Sequence, residues 1–263
     1  MPPQLFGEGG GPLEGGKRLA AENKEWVERL RGIQLPQHVG VIMDGNGRWA
    51  QKRMLPRSAG HREGAEALGR IVRFVRDCAI PYITFYTFST ENWKRPADEV
   101  EQLMNLLHKF LGDTYKYKEE NIRVCFLGDP SRLRPDLQRD MKKLEEESRG
   151  NTGLTVNIAL NYGGRDEIVR AARSLCREAA AGRLRPEDLD EERFAGALDT
   201  AGMPECDVVL RPSGEQRISN FLLWQAAYAE FIFMDTLWPD FTEKDFAEAM
   251  LEYARRNRRF GGV

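Results

Sequence analysis

His38–His61 reads HVGVIMDGNGRWAQKRMLPRSAGH, and this stretch decides the fold. Val39-Gly40-Val41-Ile42-Met43 is an apolar run short enough for a buried parallel strand. It stops at Asp44-Gly45-Asn46-Gly47-Arg48, where two glycines allow a sharp turn and close approach of the backbone to a ligand. A helix start is predicted at Trp49–Lys52, and helix starts attract anions. Arg48, Arg53, Arg57 and His61 add positive charge. Asp44 is a lone carboxylate among these groups, which suits a divalent cation bridging carboxylate and phosphate. The stretch predicts a metal–diphosphate site at the C-terminal edge of a parallel sheet.

Two other readings compete. Gly45-Asn46-Gly47-Arg48-Trp49-Ala50 also fits G-x-G-x-x-A, the dinucleotide fingerprint. That fingerprint brings uncharged backbone to a pyrophosphate, which Asp44 would repel without a metal, and Glu63 and Glu66 fall inside the next helix rather than at a strand end. A strand–turn–helix corner with no ligand is the other alternative, since short glycine motifs are weak. Gly11–Arg18 nearly spells a P-loop, but Arg18 replaces the required Ser or Thr and no strand precedes it.

The chain has 263 residues and a formal charge of −2, so no global basic field points to nucleic acid. No apolar run approaches a membrane span, and the N-terminus lacks a signal-peptide pattern, so a cytoplasmic location is expected. Cys78, Cys125, Cys176 and Cys206 are widely spaced with no C-x-x-C pair, which predicts reduced structural thiols and no zinc site.

Residues 1–16 are rich in Gly and Pro and are expected to be a disordered tail, with residues 17–263 forming one domain. Helical spacing occurs at 17–31, 62–77, 99–118, 133–149, 166–181 and 242–259, the last closing on Arg255, Arg256, Arg258 and Arg259. Strands are predicted at Tyr82–Phe88, Arg123–Leu127, Leu154–Leu160 and Asp207–Leu210. The alternation gives the fold class: a single α/β domain with a mainly parallel central β-sheet flanked by helices. Residues 221–233 form an apolar segment whose sole carboxylate is Glu230, costly to bury unless paired or bound to metal.

Ligands bind beyond the C-terminal ends of parallel strands, and three such ends are polar. One is the Asp44 stretch. Another is Ser89-Thr90-Glu91-Asn92-Trp93-Lys94-Arg95-Pro96, although Asn92 could simply cap a turn and Trp93 could simply be core. The third is Arg211-Pro212-Ser213-Gly214-Glu215-Gln216-Arg217-Ile218-Ser219-Asn220. Two arginine-bearing anion sites suggest two phosphorylated substrates or one long one. The apolar stripe Leu103, Leu106, Leu107, Phe110 and Leu111 is either ordinary core or the lining of a tunnel for a greasy tail. No nucleophile paired with a base is evident.

HVGVIMDGNGRWA, FSTENWKRP, NYGGRDEI and RPSGEQRISNFLLWQAAYAEF occur in this order, and Arg259-Phe260-Gly261-Gly262 closes the chain. From about Pro36 onward the chain resembles the cis-prenyltransferases, the undecaprenyl diphosphate synthase family. The paired D-D-x-x-D carboxylates of trans-type synthases are missing. The resemblance implies Mg²⁺-dependent addition of isopentenyl diphosphate to an allylic diphosphate, usually farnesyl diphosphate, with a Z double bond at each step. The implied product is a long polyprenyl diphosphate such as undecaprenyl diphosphate, precursor of the lipid carrier for cell-wall glycans. It further implies a homodimer, an apolar product tunnel in each subunit and peripheral membrane contact for product release.

Carried over by residue, the resemblance gives Asp44 to Mg²⁺, with Glu230 near the metal. Gly45, Asn46, Gly47, Arg48, Arg57 and His61 would cradle the allylic diphosphate, with Trp49 beside them. Arg211, Arg217 and Ser219 would bind isopentenyl diphosphate, supported by Glu215. Asn92 with Ser89 would position that substrate and help remove its proton; Trp93 and Arg95, with Thr90 and Glu91, would position the reacting groups. Pro212 and Ala59 depart from the usual Thr and Phe, and Thr87 mildly favours a long product. A non-catalytic partner subunit of the same fold is the competing reading, and Asp44, Asn92 and the full RPSGEQRIS cluster argue against it.

Overall fold

The computed structural model describes residues 12–113 and 119–256. The apolar run becomes β1 (His38–Ile42), buried along its whole length. It sits inside a six-stranded sheet with β2 (Tyr82–Ser89), β3 (Arg123–Leu127), β4 (Thr155–Tyr162), β5 (Val208–Arg211) and β6 (Glu230–Phe233). The order is β3-β4-β2-β1-β5-β6, and every pairing is parallel. From β1 the chain adds β2 alongside, places β3 at the outer edge and inserts β4 between β3 and β2, then crosses back to build β5 and β6 on the other side. The order therefore reverses between β1 and β5, and a crevice opens at such a point beyond the strand ends.

The helices are α1 (Pro12–Arg31), α2 (Asn46–Lys52), α3 (Arg57–Asp77), α4 (Ala97–Asp113), α5 (Pro135–Ser148), α6 (Gly164–Ala180), α7 (Glu191–Ala195) and α8 (Glu243–Arg255). The main core packs α1, α3, α4, α5 and α8 on one sheet face, through residues such as Leu30, Ile71, Phe85, Leu107, Leu137 and Phe246. A smaller cluster on the other face joins Ile42, Ala159 and Val209 to Phe221, Leu222 and Ala226.

The predicted strands and helices are present, with shifted boundaries. The first helix opens at Pro12, inside the stretch expected to be tail. The rest of that expected tail, the end of the helix predicted to Lys118, and Arg258–Gly262 lie outside the described residues. The sheet is wholly parallel and contains one strand more than predicted. β6 is a four-residue edge strand pairing only with β5, and a short apolar run carries no period that separates strand from buried helix.

Local chemistry shapes the strand ends. Gly45 has φ 103°, and a Cβ there would lie 2.9 Å from Leu237 Cδ2, so only glycine turns this corner without strain. A Cβ at Gly60 would meet the Asn46 carbonyl oxygen at 2.0 Å, so its absence lets α3 press on the start of α2. In β2 the register against β4 slips between Tyr86 and Phe88. That bulge breaks the period-2 alternation, and the neighbours Tyr86 and Thr87 both face the same cleft.

Candidate active site

A cleft of about 650 Å³ lies over the C-terminal ends of β1 and β2. Asp44, Gly45, Asn46, Gly47, Arg48, Arg57, His61, Ser89, Glu91, Asn92, Arg95 and Ser219 all line it. Residues expected from separate strand ends thus share one wall. At its head the Asp44 carboxylate accepts from Arg211 Nη2 at 2.8 Å and pairs with Arg48 Nη2 at 3.3 Å. Burial pushes the Asp44 carboxyl up, but the hydrogen bond and charge of Arg211 and the charge of Arg48 outweigh it and hold the pKa below its ordinary value.

Arg211 is buried, and it donates through Nη1 to Ser219 Oγ at 2.8 Å and to the Arg217 carbonyl. Its Nε has no partner. An unused, buried guanidinium N–H is costly. Asn46 Oδ1 and His61 Nε2 are also buried without partners. Burial lowers the His61 pKa to about 4, with Arg95 and Arg57 adding to the effect against Glu99. The imidazole is therefore neutral at neutral pH.

Arg57 and Arg95 share one counter-ion. Glu99, in the first turn of α4, accepts from Arg57 Nη1 at 3.0 Å and Arg95 Nη1 at 2.9 Å, one on each carboxylate oxygen. Asn92 has a local duty, since its Oδ1 accepts the Ser89 N–H at 3.0 Å and caps the 3₁₀ turn Thr90–Lys94.

Several expected residues stand elsewhere. Trp49 faces outward, its indole N–H on Asp240 Oδ1 at 2.6 Å and the Arg53 guanidinium over its ring. Thr90 and Trp93 do not line the cleft. Arg217 is exposed and paired with Glu215, which also reaches Arg48 Nη1 at 3.5 Å. Glu230 is not brought to Asp44. It opens β6 opposite Val208, which lies opposite Val39, so it sits at the other edge of the sheet, where Arg256 pairs with it at 2.8 Å. Its need for a partner is met by an arginine, and within one chain the two carboxylates cannot share an ion.

Asn220, named in the third cluster without a role, and Glu99 and Tyr86, outside the motifs' assignments, belong to the site. Asn220 donates to Glu91 Oε1 at 2.9 Å and accepts from the Gly164 and Arg165 N–H groups, tying three strand-end loops together. Its left-handed φ of 65° is shared by Ser213, Ser219 and Leu222 in the same segment, and such strain gathers at functional sites.

Below the cleft an apolar crevice of about 60 Å³ runs between α3 and α4, lined by Leu68, Phe88, Leu106, Leu107, Phe110 and Trp238. Met43, Asn46, His61, Thr87 and Leu103 line both spaces, so the two adjoin. Charged donors at the top and hydrocarbon beneath define a site for an amphiphile with an anionic head.

Residues 42–261 match the Prenyltransf family model, undecaprenyl diphosphate synthase. The isoprenyl transferase of Rhizobium meliloti (strain 1021) is 51% identical over 238 residues, 90% of this chain and 96% of that protein. That of Bacillus thuringiensis subsp. konkukian (strain 97-27) is 47% identical, over 90% and 92%. Among solved structures, lavandulyl diphosphate synthase from Lavandula x intermedia, in complex with dimethylallyl diphosphate, is 37% identical with a TM-score of 0.83, over 86% of this chain and 98% of that one. A probable undecaprenyl diphosphate synthase from Campylobacter jejuni is 34% identical with a TM-score of 0.73, over 87% and 99%. The fold and the cleft are those of a prenyltransferase. The chain belongs to the undecaprenyl diphosphate synthase family.

Proposed function

We propose that this chain adds isopentenyl diphosphate units to an allylic diphosphate, farnesyl diphosphate in the first instance, forming a Z double bond at each addition. The product is a long polyprenyl diphosphate of the undecaprenyl class, the lipid-carrier precursor for cell-wall glycans. The observation that carries this reading is the adjacency of the cleft that Asp44 heads to the apolar crevice between α3 and α4. A crevice of about 60 Å³ holds little more than two waters, so α3 and α4 must part as the product grows into a tunnel.

The donor set fits Mg²⁺. One carboxylate with room for phosphate oxygens is the usual protein share of such a site, and Asp44 supplies it, part-exposed on the cleft wall. When bound, the ion neutralises charge on the departing diphosphate. The chain's own groups do the rest. Arg48, Arg57 and neutral His61 hold the allylic diphosphate, and Arg211, fixed on Asp44, adds its charge for isopentenyl diphosphate. Arg217 and Ser219 close over isopentenyl diphosphate, while Ser89, Asn92 and Arg95 set its position for proton loss. Donors aimed at developing charge and two alkenes held face to face supply the acceleration.

The protein acts as a homodimer and meets a membrane surface only to release product. No helix among the described residues is long and apolar enough to cross a membrane. The test is incubation with farnesyl diphosphate, labelled isopentenyl diphosphate and Mg²⁺, with and without chelator, followed by sizing of products. A chelator-sensitive ladder ending near one length is expected. No product from farnesyl, geranyl or dimethylallyl diphosphate would favour a non-catalytic partner subunit.

A further inference from the structure

The turn that carries Asn92 and Arg95 is held from behind by an aromatic anchor. Trp93 lies edge-on to Phe88, ring centroids 5.1 Å apart, and the Arg132 guanidinium sits 4.8 Å from its ring centroid. Its indole N–H donates to Asn161 Oδ1 at 2.7 Å. Asn161 ends neither in solvent nor in the cleft. It is 2% exposed, at φ 49°, and its Nδ2 donates to the Asp129 carbonyl at 2.6 Å. Those two bonds fix which way the carboxamide points, because a flipped amide would set N–H against N–H. Asp129 in turn accepts from Ser131 N and Oγ, both at 2.9 Å, and so caps the 3₁₀ turn Pro130–Arg132 that bears the capping arginine. The ends of β3 and β4 are thus coupled to the turn after β2 through one indole.

We propose that Asn161 is a positioning residue: by accepting the Trp93 N–H it sets the 90–94 turn, and through it the height of Asn92 and Arg95 on the cleft wall. This rests on the prenyl-transfer reading of the cleft. The backbone makes the assignment specific. Asn is among the few side chains that accept a left-handed φ, and here that conformation lets a carboxamide at the end of β4 reach Trp93 on one side and Asp129 on the other. Without the acceptor a part-buried indole N–H is left unpaired, and the turn relaxes by moving.

The test is a double-mutant cycle in the full chain. Asn161→Gly removes the carboxamide while tolerating the left-handed backbone, and Trp93→Phe removes the N–H while keeping a ring. Each single change is expected to raise KM for isopentenyl diphosphate about tenfold, with a smaller change in kcat, and the double variant to cost no more than either. The Trp93 indole N–H resonance, assigned by its loss in Trp93→Phe, should exchange with solvent faster in Asn161→Gly, a readout needing no turnover. Additive costs in the double variant, or unchanged indole exchange, overturn the positioning role alone. A wild-type chain that turns over none of the allylic starters overturns the prenyl-transfer reading, and with it this role.

Discussion

The Asp44 carboxylate and the Arg211 guanidinium meet at 2.8 Å across the gap where the strand order reverses, although 167 positions separate them in sequence. Arg211 has only 5% of its side chain exposed, against 28% for Asp44, so the arginine depends on the pair more than the acid does. The pair locks the ends of β1 and β5 together and leaves the buried Arg211 Nε unsatisfied.

Asp44→Asn is expected to lower kcat/KM by about 10²–10³, the usual cost of removing one aimed charge-stabilising group. It should also destabilise the fold by about 1–3 kcal/mol, since Arg211 loses its counter-charge. Steady-state kinetics, urea unfolding and sedimentation of the variant check this. Undiminished turnover would remove Asp44 from the metal role.

Stability should fall as the pH drops from about 6.5 to about 4. Burial lowers the His61 pKa to about 4, so across that window the unfolded chain binds a proton that the folded chain refuses, and the stability present above pH 6.5 is lost on acidification. His38, buried in β1 with a lowered pKa, adds to the same limb. Asp44 adds its own loss only below its ordinary value of 3.8. His61→Gln should flatten the limb by about 3 kcal/mol in urea unfolding measured between pH 7 and 4. An unchanged slope would show that His61 protonates freely in the fold.

Glu99 is the shared counter-ion of Arg57 and Arg95 and offsets their mutual repulsion. Glu99→Gln should lower the thermal midpoint by several degrees, about 1–2 kcal/mol of lost charge-assisted bonding. Added pyrophosphate should raise that midpoint more in the variant than in the wild-type chain, because two arginines without a counter-ion gain more from a polyanion. Equal pyrophosphate shifts would mean that the arginines do not face the diphosphate.

Ala65 on α3 lines the apolar crevice beside Leu106 and Phe110. Ala65→Phe fills that space and should shorten the product ladder by at least one five-carbon unit, while inorganic pyrophosphate still binds. Chromatography of the extracted prenols reads the outcome. An unchanged ladder would place the growing chain elsewhere.

Much of this protein was legible in its residues. Apolar runs bounded by glycine or polar clusters marked the first five strands, and helical spacing marked the helices between them, because burial on one face or two leaves a periodic trace. The Asp44-Gly45-Asn46-Gly47-Arg48 corner pointed to an anion site over a dinucleotide fingerprint or a ligand-free turn because a lone carboxylate stands among several cationic groups. Tertiary packing decided what has no local trace. Glu230 and Asp44 were both isolated carboxylates at apolar runs, yet β6 starts at the far edge of the sheet and presents Glu230 to Arg256 instead. Trp49 and Trp93 turned out to be anchors on Asp240 and Asn161 rather than cleft walls. Glu99, one acid among many in α4, became the shared counter-ion of two arginines. The sequence by itself determined which groups the protein carries and that they cluster at strand ends, since local propensity and hydrophobic period are properties of neighbours along the chain. Only the tertiary structure decided which strand ends face one another, because strand order and register arise from contacts between residues far apart along the chain, as where Val39 pairs with Val208.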